Sequence, residues 1–238
     1  MKTCLIKQPA GLGDIFFTQK IAHEIRQRDF IVVWPVIPEF VWLSEYFDCI
    51  NFVDINSDFP FKEKYLKTDH DVPLIEDGSL VVPLNVADRY FPNESVMLAK
   101  YKRFGFDWSN WQNYIDFANN PEREQQLFDL IGKPVNEDSI FVNDTYGSPP
   151  DSKQCIHMQN LNLPEERVIR MSMIPNITVF EWLAVAAKCG TIHTTDSCMI
   201  YLIETLQHQP DLYMYSRFNP PDFRHVNCFL TKTWNFVQ

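Results

Sequence analysis

The stretch QPAGLGD at residues 8–14 decides how the chain begins to fold. Residues 4–7 in front of it are short and apolar enough for a β-strand, and residues 15–28 behind it have the pattern of an α-helix. A strand, a glycine-containing bend and a helix form the first half of a βαβ unit. Gly11 and Gly13 allow a sharp turn and leave room for a ligand to approach the backbone.

Asp14 is the candidate functional residue of this bend. Free N–H groups and the positive end of the dipole at a helix start favour a phosphate or carboxylate ligand. No Gly-Lys-Ser/Thr of a Walker loop follows, and Phe16 stands where a dinucleotide fingerprint needs its third glycine. Asp14 therefore has two interpretations here, a plain helix N-cap or a carboxylate at the mouth of a cleft.

The composition is that of a soluble globular protein with an acidic surface. The chain has 238 residues, 45% of them hydrophobic and 22% charged, with a net charge of -10. This acidity argues against sequence-independent nucleic-acid binding, which needs clustered Lys and Arg. The 6 cysteines show no Cys-x-x-Cys or zinc-like spacing, so we expect a reducing, cytoplasmic location. The sequence contains neither a signal-peptide core nor an apolar run long enough for a membrane span.

An alternation of strands and helices occupies the first fifty-odd residues. It predicts a β-α-β-α-β order and an open parallel sheet covered by helices. After the strand at residues 4–7 and the helix at residues 15–28, the predicted elements are a strand at residues 30–34, a helix at residues 38–47 and a strand at residues 50–55. Further along, residues 79–84 are a predicted strand, and residues 93–95 can cap a predicted helix that runs to about residue 103. A Pro- and Asn-rich break then suggests a linker region at residues 119–138, which includes a predicted helix at residues 121–131.

The alternation restarts in the last hundred residues, 139–238. The predicted strands are residues 139–142, 167–171, 191–194 and 212–215, and the predicted helices are residues 179–189 and 197–207. Two open α/β sheets in series predict a ligand cleft at the carboxyl ends of their strands.

Two further patterns have a structural and a functional interpretation. DHD at residues 69–71 can hold a divalent metal through two carboxylates, but its place in a loop before Pro73 favours a solvated turn. Trp108 and Trp111 can form a sugar-stacking platform, although packing beneath a loop is the commoner role of such a pair.

TTDS at residues 194–197 forms a polar turn between a predicted strand and a predicted helix. The N–H groups of Ser197 and Cys198, together with the hydroxyls of Thr195 and Ser197, can hold a diphosphate. Asp196 can accept hydrogen bonds from sugar hydroxyls. The alternative is that the turn only caps the helix.

The Gly-Leu-Gly-Asp turn and the late Asp-Ser turn together resemble the two landmarks of the heptosyltransferase family. These enzymes are GT-B glycosyltransferases that use nucleotide-activated sugars. The resemblance implies an α/β fold of two Rossmann-like domains, with mainly parallel sheets facing a cleft. Residues 1–118 would then form the acceptor-side domain and residues 139–238 the nucleotide-sugar-binding domain.

The resemblance also implies roles for individual residues. Asp14 matches the aspartate proposed as the catalytic base of the family. The positions implied for donor binding are Gly11, Gly13, Ser148, Lys153, Thr195, Asp196, Ser197 and Cys198. The implied substrates are a nucleotide-sugar donor and a glycan or other hydroxyl acceptor, with no metal and no further cofactor.

The late motif departs from the family pattern at three positions. Cys198 stands where the family has glycine, Met199 where it has proline and Tyr201 where it has histidine. Two rival functions therefore stay open on the same residues. One is a non-catalytic sugar or nucleotide-sugar binding protein of the same fold, and the other is a two-domain nucleotide-sugar epimerase.

Overall fold

The structure is a computed structural model whose chain divides into two compact units, Met1–Ala118 and Asn119–Gln238. Each unit is an open, mainly parallel sheet covered by helices, so the predicted α/β class with two Rossmann-like parts is confirmed. The structure describes residues 2–68, 75–76, 78–85, 91, 95–147, 154–155, 158 and 162–237.

The first unit contains a 5-stranded sheet in the order β3-β2-β1-β5-β4. Its strands are β1 (Lys2–Ile6), β2 (Phe30–Val36), β3 (Asn51–Asp54), β4 (Ile75–Glu76) and β5 (Ser79–Val82). All neighbours are parallel except β4, which is antiparallel to β5. The central strand β1 is buried from Thr3 to Ile6 and begins two residues earlier than the predicted strand at residues 4–7.

The first two predicted helices of the first unit are shorter than their sequence pattern indicates, and the helix at residues 62–67 was not predicted. The α-helices in the described part of this unit are α1 (Leu12–Phe17), α2 (Gln19–Arg26), α3 (Lys62–Lys67) and α4 (Val96–Phe104), with 3-10 helices at Pro38–Glu45 and Trp111–Tyr114.

The predicted helix over residues 15–28 begins earlier and is divided at Thr18. The Thr18 hydroxyl donates to the Asp14 carbonyl oxygen at 2.7 Å, a bond that competes with regular helical hydrogen bonding. The predicted helix at residues 38–47 is the first 3-10 helix. Trp111 is fully buried, with its ring centroid 4.9 Å from that of Phe17, so its packing interpretation is correct.

The second unit contains a 5-stranded sheet that is parallel throughout, in the order β12-β11-β10-β6-β9. The strands in chain order are β6 (Ile140–Asn143), β7 (Thr145–Tyr146), β8 (Gln154–Cys155), β9 (Val168–Arg170), β10 (Thr191–Thr195), β11 (Asp211–Tyr215) and β12 (Trp234–Val237). Strands β7 and β8 form a separate antiparallel pair. The sequence pattern ended the sheet at residues 212–215 and missed β12.

The α-helices that accompany this sheet in the described part of the second unit are α5 (Pro121–Ile131), α6 (Val179–Ala186), α7 (Cys198–Ile203) and α8 (Arg224–Asn227). Helix α5 has the predicted bounds because Asn120 accepts from the Arg123 N–H and Gly132 ends it with a φ of 66°. It packs against α6, so residues 119–138 contain a helix of the second unit. Helix α7 ends before the predicted residue 207.

The strand order of each sheet reverses at one point. In the first unit the chain runs outward from β1 through β2 to β3, while β5 lies on the other side of β1. In the second unit the reversal lies between β6 and β10. Ligands of open α/β sheets bind outside the carboxyl ends of the strands at such reversals. The segment of residues 8–14, which leads into α1, follows β1, and the turn of residues 194–197 ends β10. Both predicted turns therefore lie at these edges.

Glu204, immediately after α7, attaches the last strand to the second unit. Its buried carboxylate accepts from the backbone N–H of Thr231 at 2.7 Å and from Nε1 of Trp234 at 2.7 Å. The Lys232 N–H donates to the same carboxylate at 3.2 Å. These bonds lead the chain into β12.

We expect Glu204→Ala to lower the free energy of unfolding by about 3 kcal/mol or more, because hydrogen bonds to a charged group contribute about 1.5–3 kcal/mol each. Denaturant unfolding of the variant beside Glu166→Ala, which alters an exposed side chain of the same unit, measures the difference. Equal stability of the two variants would show that Glu204 does not hold β12.

Candidate functional site

Asp14 lies in the first turn of α1, two residues inside its start, and not at the N-cap. Gly11 occupies the N-cap position with a φ of 84°, and its carbonyl accepts from the Ile15 N–H at 3.0 Å. The plain N-cap interpretation of Asp14 is therefore wrong, because the helix begins at Leu12, before the predicted position. The negative charge still lies at the positive end of the helix dipole.

Gly11 makes room for the Asp14 carboxylate. A Cβ atom built on Gly11 would lie 2.5 Å from Asp14 Oδ2, closer than van der Waals contact allows. Glycine is therefore needed here both for its positive φ and for the position of the carboxylate. Gly13 lies within α1.

A buried cation contacts Asp14. The ammonium of Lys100, on α4, forms an ion pair with Asp14 Oδ1 and donates to Oε1 of Gln8 at 2.7 Å. The side chain of Lys100 is 2% exposed and that of Asp14 is 31% exposed. The backbone of Gln8 is held in turn, because Nε1 of Trp34 donates a hydrogen bond to the Gln8 backbone carbonyl oxygen at 2.9 Å.

The sequence prediction missed Lys100. The signal that points to it is its place on the buried face of α4, beside Met97 and Tyr101, where an unpaired lysine is rare.

The late turn joins two strands at the reversal of the second sheet. Nδ2 of Asn143, at the end of β6, donates to Oγ1 of Thr194 at 3.0 Å and to Oγ of Ser197 at 2.9 Å. Ser197 is also the N-cap of α7, with Oγ accepting from the Met199 N–H at 3.4 Å. Ser197 therefore caps α7, and its predicted role in binding a diphosphate stays a prediction.

The Asp196 carboxylate faces the interior of the second unit. Its side chain is 0% exposed, and Oδ1 accepts from the Thr195 hydroxyl at 3.2 Å and from the Arg217 N–H at 3.0 Å. Oδ2 lies 3.0 Å from Nε2 of His225. Asp196 therefore contacts the segment of residues 216–225 that follows β11. The sequence prediction did not include Arg217 or His225.

The residues that depart from the family pattern pack differently from one another. Cys198 is half-buried at the first position of α7, whereas Met199 is fully buried. Tyr201 is buried and stacks on Phe229 with a centroid distance of 5.3 Å. These side chains of α7 belong to the packing of the second unit.

Other predicted positions lie outside the described residues. They are Ser148, Lys153 and the DHD stretch at residues 69–71. Within the described ranges, no cluster of three or more His, Cys, Asp or Glu side chains has the arrangement of a metal site. In the same part of the chain, no helix combines the length and apolarity that crossing a bilayer requires.

The two units together define a protein of two Rossmann-like α/β parts, and solved structures share this fold. The glycosyl transferase family 9 structure from Veillonella parvula DSM 2008 aligns over 99% of this chain and 85% of its own, at 9% identity and a TM-score of 0.52. ADP-heptose lps heptosyltransferase II from E. coli aligns over 100% and 90%, at 10% identity and a TM-score of 0.50. The expected GT-B-like fold is thus confirmed. No family model and no curated protein matches the sequence.

We expect Gly11→Ala to lower the free energy of unfolding by about 1–3 kcal/mol through backbone strain and to displace the Asp14 carboxylate. Gly105→Ala is the matched control, because Gly105 also has a positive φ of 68° but open space around a built Cβ. Crystal structures and unfolding of both variants test this. An unmoved Asp14 carboxylate in Gly11→Ala would contradict the expected displacement.

Proposed function

We propose that the protein is a glycosyltransferase that moves a sugar from a nucleotide-sugar donor to a hydroxyl acceptor. The observation that carries the proposal is the Asp14 carboxylate, partly exposed at the carboxyl edge of a sheet whose fold is shared with solved glycosyltransferases. Such a transfer needs a base at the acceptor and groups that stabilise the leaving diphosphate.

Asp14 acts as the base in this proposal. The acceptor hydroxyl loses its proton to the carboxylate while its oxygen bonds to the anomeric carbon of the donor. The bond from that carbon to the diphosphate breaks, and the electron pair leaves with the diphosphate. A positioned base of this kind contributes about 10²–10⁴-fold to the rate.

The second unit binds the donor in this proposal. The assigned residues are Ser148, Lys153, Thr195, Asp196, Ser197 and Cys198, with Gly11 and Gly13 lining the first unit's turn. Lys153 would supply positive charge to the diphosphate, and Ser148 a hydroxyl. Because Asp196 is 0% exposed and contacts protein groups, its part is to hold the edge to which the donor binds.

The cytoplasmic location stays a prediction.

The buried Asp196 also favours a second candidate, a nucleotide-sugar binding protein without transfer activity. A carboxylate that is already engaged by Thr195 and Arg217 offers little to orient the sugar for transfer, whereas binding of the nucleotide and its diphosphate does not depend on it. Saturation-transfer NMR with a panel of nucleotide sugars identifies a donor that binds, and a hydroxyl-acceptor assay with that donor then separates the two functions. Binding without transfer to any acceptor would favour the second candidate.

We expect Asp14→Asn to reduce transfer by at least about 100-fold, because the amide cannot accept the acceptor's proton. Donor affinity should change little, since the donor is assigned to the second unit. Turnover and donor calorimetry, compared at matched thermal stability, measure both effects. Asp48→Asn, which alters an exposed aspartate of the same unit, is the control. Full activity of Asp14→Asn would place the base elsewhere.

We expect transfer to continue at an unchanged rate after treatment with EDTA, because protein groups stabilise the leaving diphosphate in this proposal. The measurement is the initial rate before and after chelation, and after adding back magnesium or manganese. Activity that chelation abolishes and either ion restores would instead make Asp69 and Asp71 the candidate metal ligands.

A further inference from the structure

The two side chains of the Asp14–Lys100 ion pair differ in their exposure to solvent, and this difference separates their roles. The carboxylate is 31% exposed, whereas the lysine side chain is 2% exposed. An acceptor that arrives from solvent can therefore touch Asp14 without touching the ammonium. Any influence of Lys100 on such an acceptor is transmitted through the carboxylate.

We infer that Lys100 is a positioning residue that sets the orientation of the Asp14 carboxylate. Its ammonium holds Oδ1, and Oδ2 makes no hydrogen bond within the described residues. Oδ2 is therefore the oxygen left to accept a proton. The catalytic consequence of this orientation rests on the proposed transferase function, whereas the orientation itself does not.

The Lys100 ammonium makes a second hydrogen bond in addition to the ion pair with Asp14. Gln8 Oε1 accepts from Lys100 at 2.7 Å, and the Gln8 side-chain amide donates to the Ala10 carbonyl at 2.6 Å. The Gln8 carbonyl accepts from Nε1 of Trp34, which is fully buried on β2. The position of the ammonium is thus determined by the sheet and by the segment of residues 8–14, which also contains Asp14.

Gly11 leaves the carboxylate the room that this orientation needs. Asp14 Oδ2 lies 2.5 Å from the position of a Cβ built on residue 11, so a side chain there would collide with the oxygen that Lys100 does not hold. A charged group buried to this degree needs a paired partner, and rotation of Asp14 away would leave the ammonium with only the Gln8 oxygen among its described contacts. Rotation is therefore costly.

A double-mutant cycle tests whether Lys100 acts through Asp14. Lys100→Met keeps an unbranched side chain of nearly the same length, one atom shorter, and removes its charge. In the parent background we expect kcat to fall by about 10- to 100-fold, with KM for the donor unchanged, because the base is misplaced. In the Asp14→Asn background, adding Lys100→Met should change kcat little. Equal losses in both backgrounds would overturn the inference.

Lys102→Met is the matched control, since Lys102 lies on the same helix with an exposed side chain. We expect it to leave kcat and KM unchanged. A loss in Lys102→Met equal to that in Lys100→Met would show a general effect of α4 and would also overturn the inference.

A crystal structure of Lys100→Met tests the orientation without any assay of transfer. The expected result is an Asp14 carboxylate rotated or divided between rotamers, and an unmoved carboxylate would overturn the inference. If Lys100→Met does not fold, the structure of Lys100→Gln is read by the same criterion, because its amide reaches less far and carries no charge. Absence of transfer by the parent protein would refute the proposed function, while this measurement would still decide the role of Lys100.

Discussion

The first unit depends on a lysine ammonium that is almost completely removed from water. Burying such a charge is unfavourable unless a counter-charge and further acceptors compensate for it. Lys100 obtains both from the chain that follows β1, where Asp14 in the first turn of α1 supplies the charge and Gln8 in the loop before it supplies the second acceptor. The pair therefore ties α4 to the start of α1 and brings a partly exposed carboxylate to the carboxyl edge of the first sheet.

The second unit also uses buried carboxylates, and there they hold later segments of the chain in place. Asp196 holds the segment that begins at Arg217, and Glu204 holds the segment that leads to Trp234. Asp196 precedes α7 and Glu204 follows it, and the segments that both carboxylates hold come after β11 in the chain. Asp196 has no exposed surface, in contrast to Asp14, and the two aspartates singled out by sequence therefore occupy different environments.

Much of the fold was predictable because its signals are local. The apolar run at residues 30–34 identified β2, and the Asn-Pro start and Gly132 stop identified the bounds of α5. The failures also have local causes that a pattern does not reveal. Thr18 interrupts the first helix through its hydroxyl, and β12 was missed because Glu204, distant in sequence, supplies the bonds that lead into it. Sequence found Asp14 and Asp196 but not their distant partners Lys100, Arg217 and His225.

The sequence by itself determined the two turns, their glycine and aspartate residues and the parallel α/β class, because backbone geometry and hydrophobic periodicity are properties of neighbouring residues. Only the tertiary structure decided that Asp14 is paired and Asp196 enclosed. Lys100 is separated from Asp14 by 86 positions, and His225 from Asp196 by helix α7, strand β11 and the segment after it. Charges so far apart in the chain meet only when the sheet has formed and its helices have packed, so no local pattern encodes their contact.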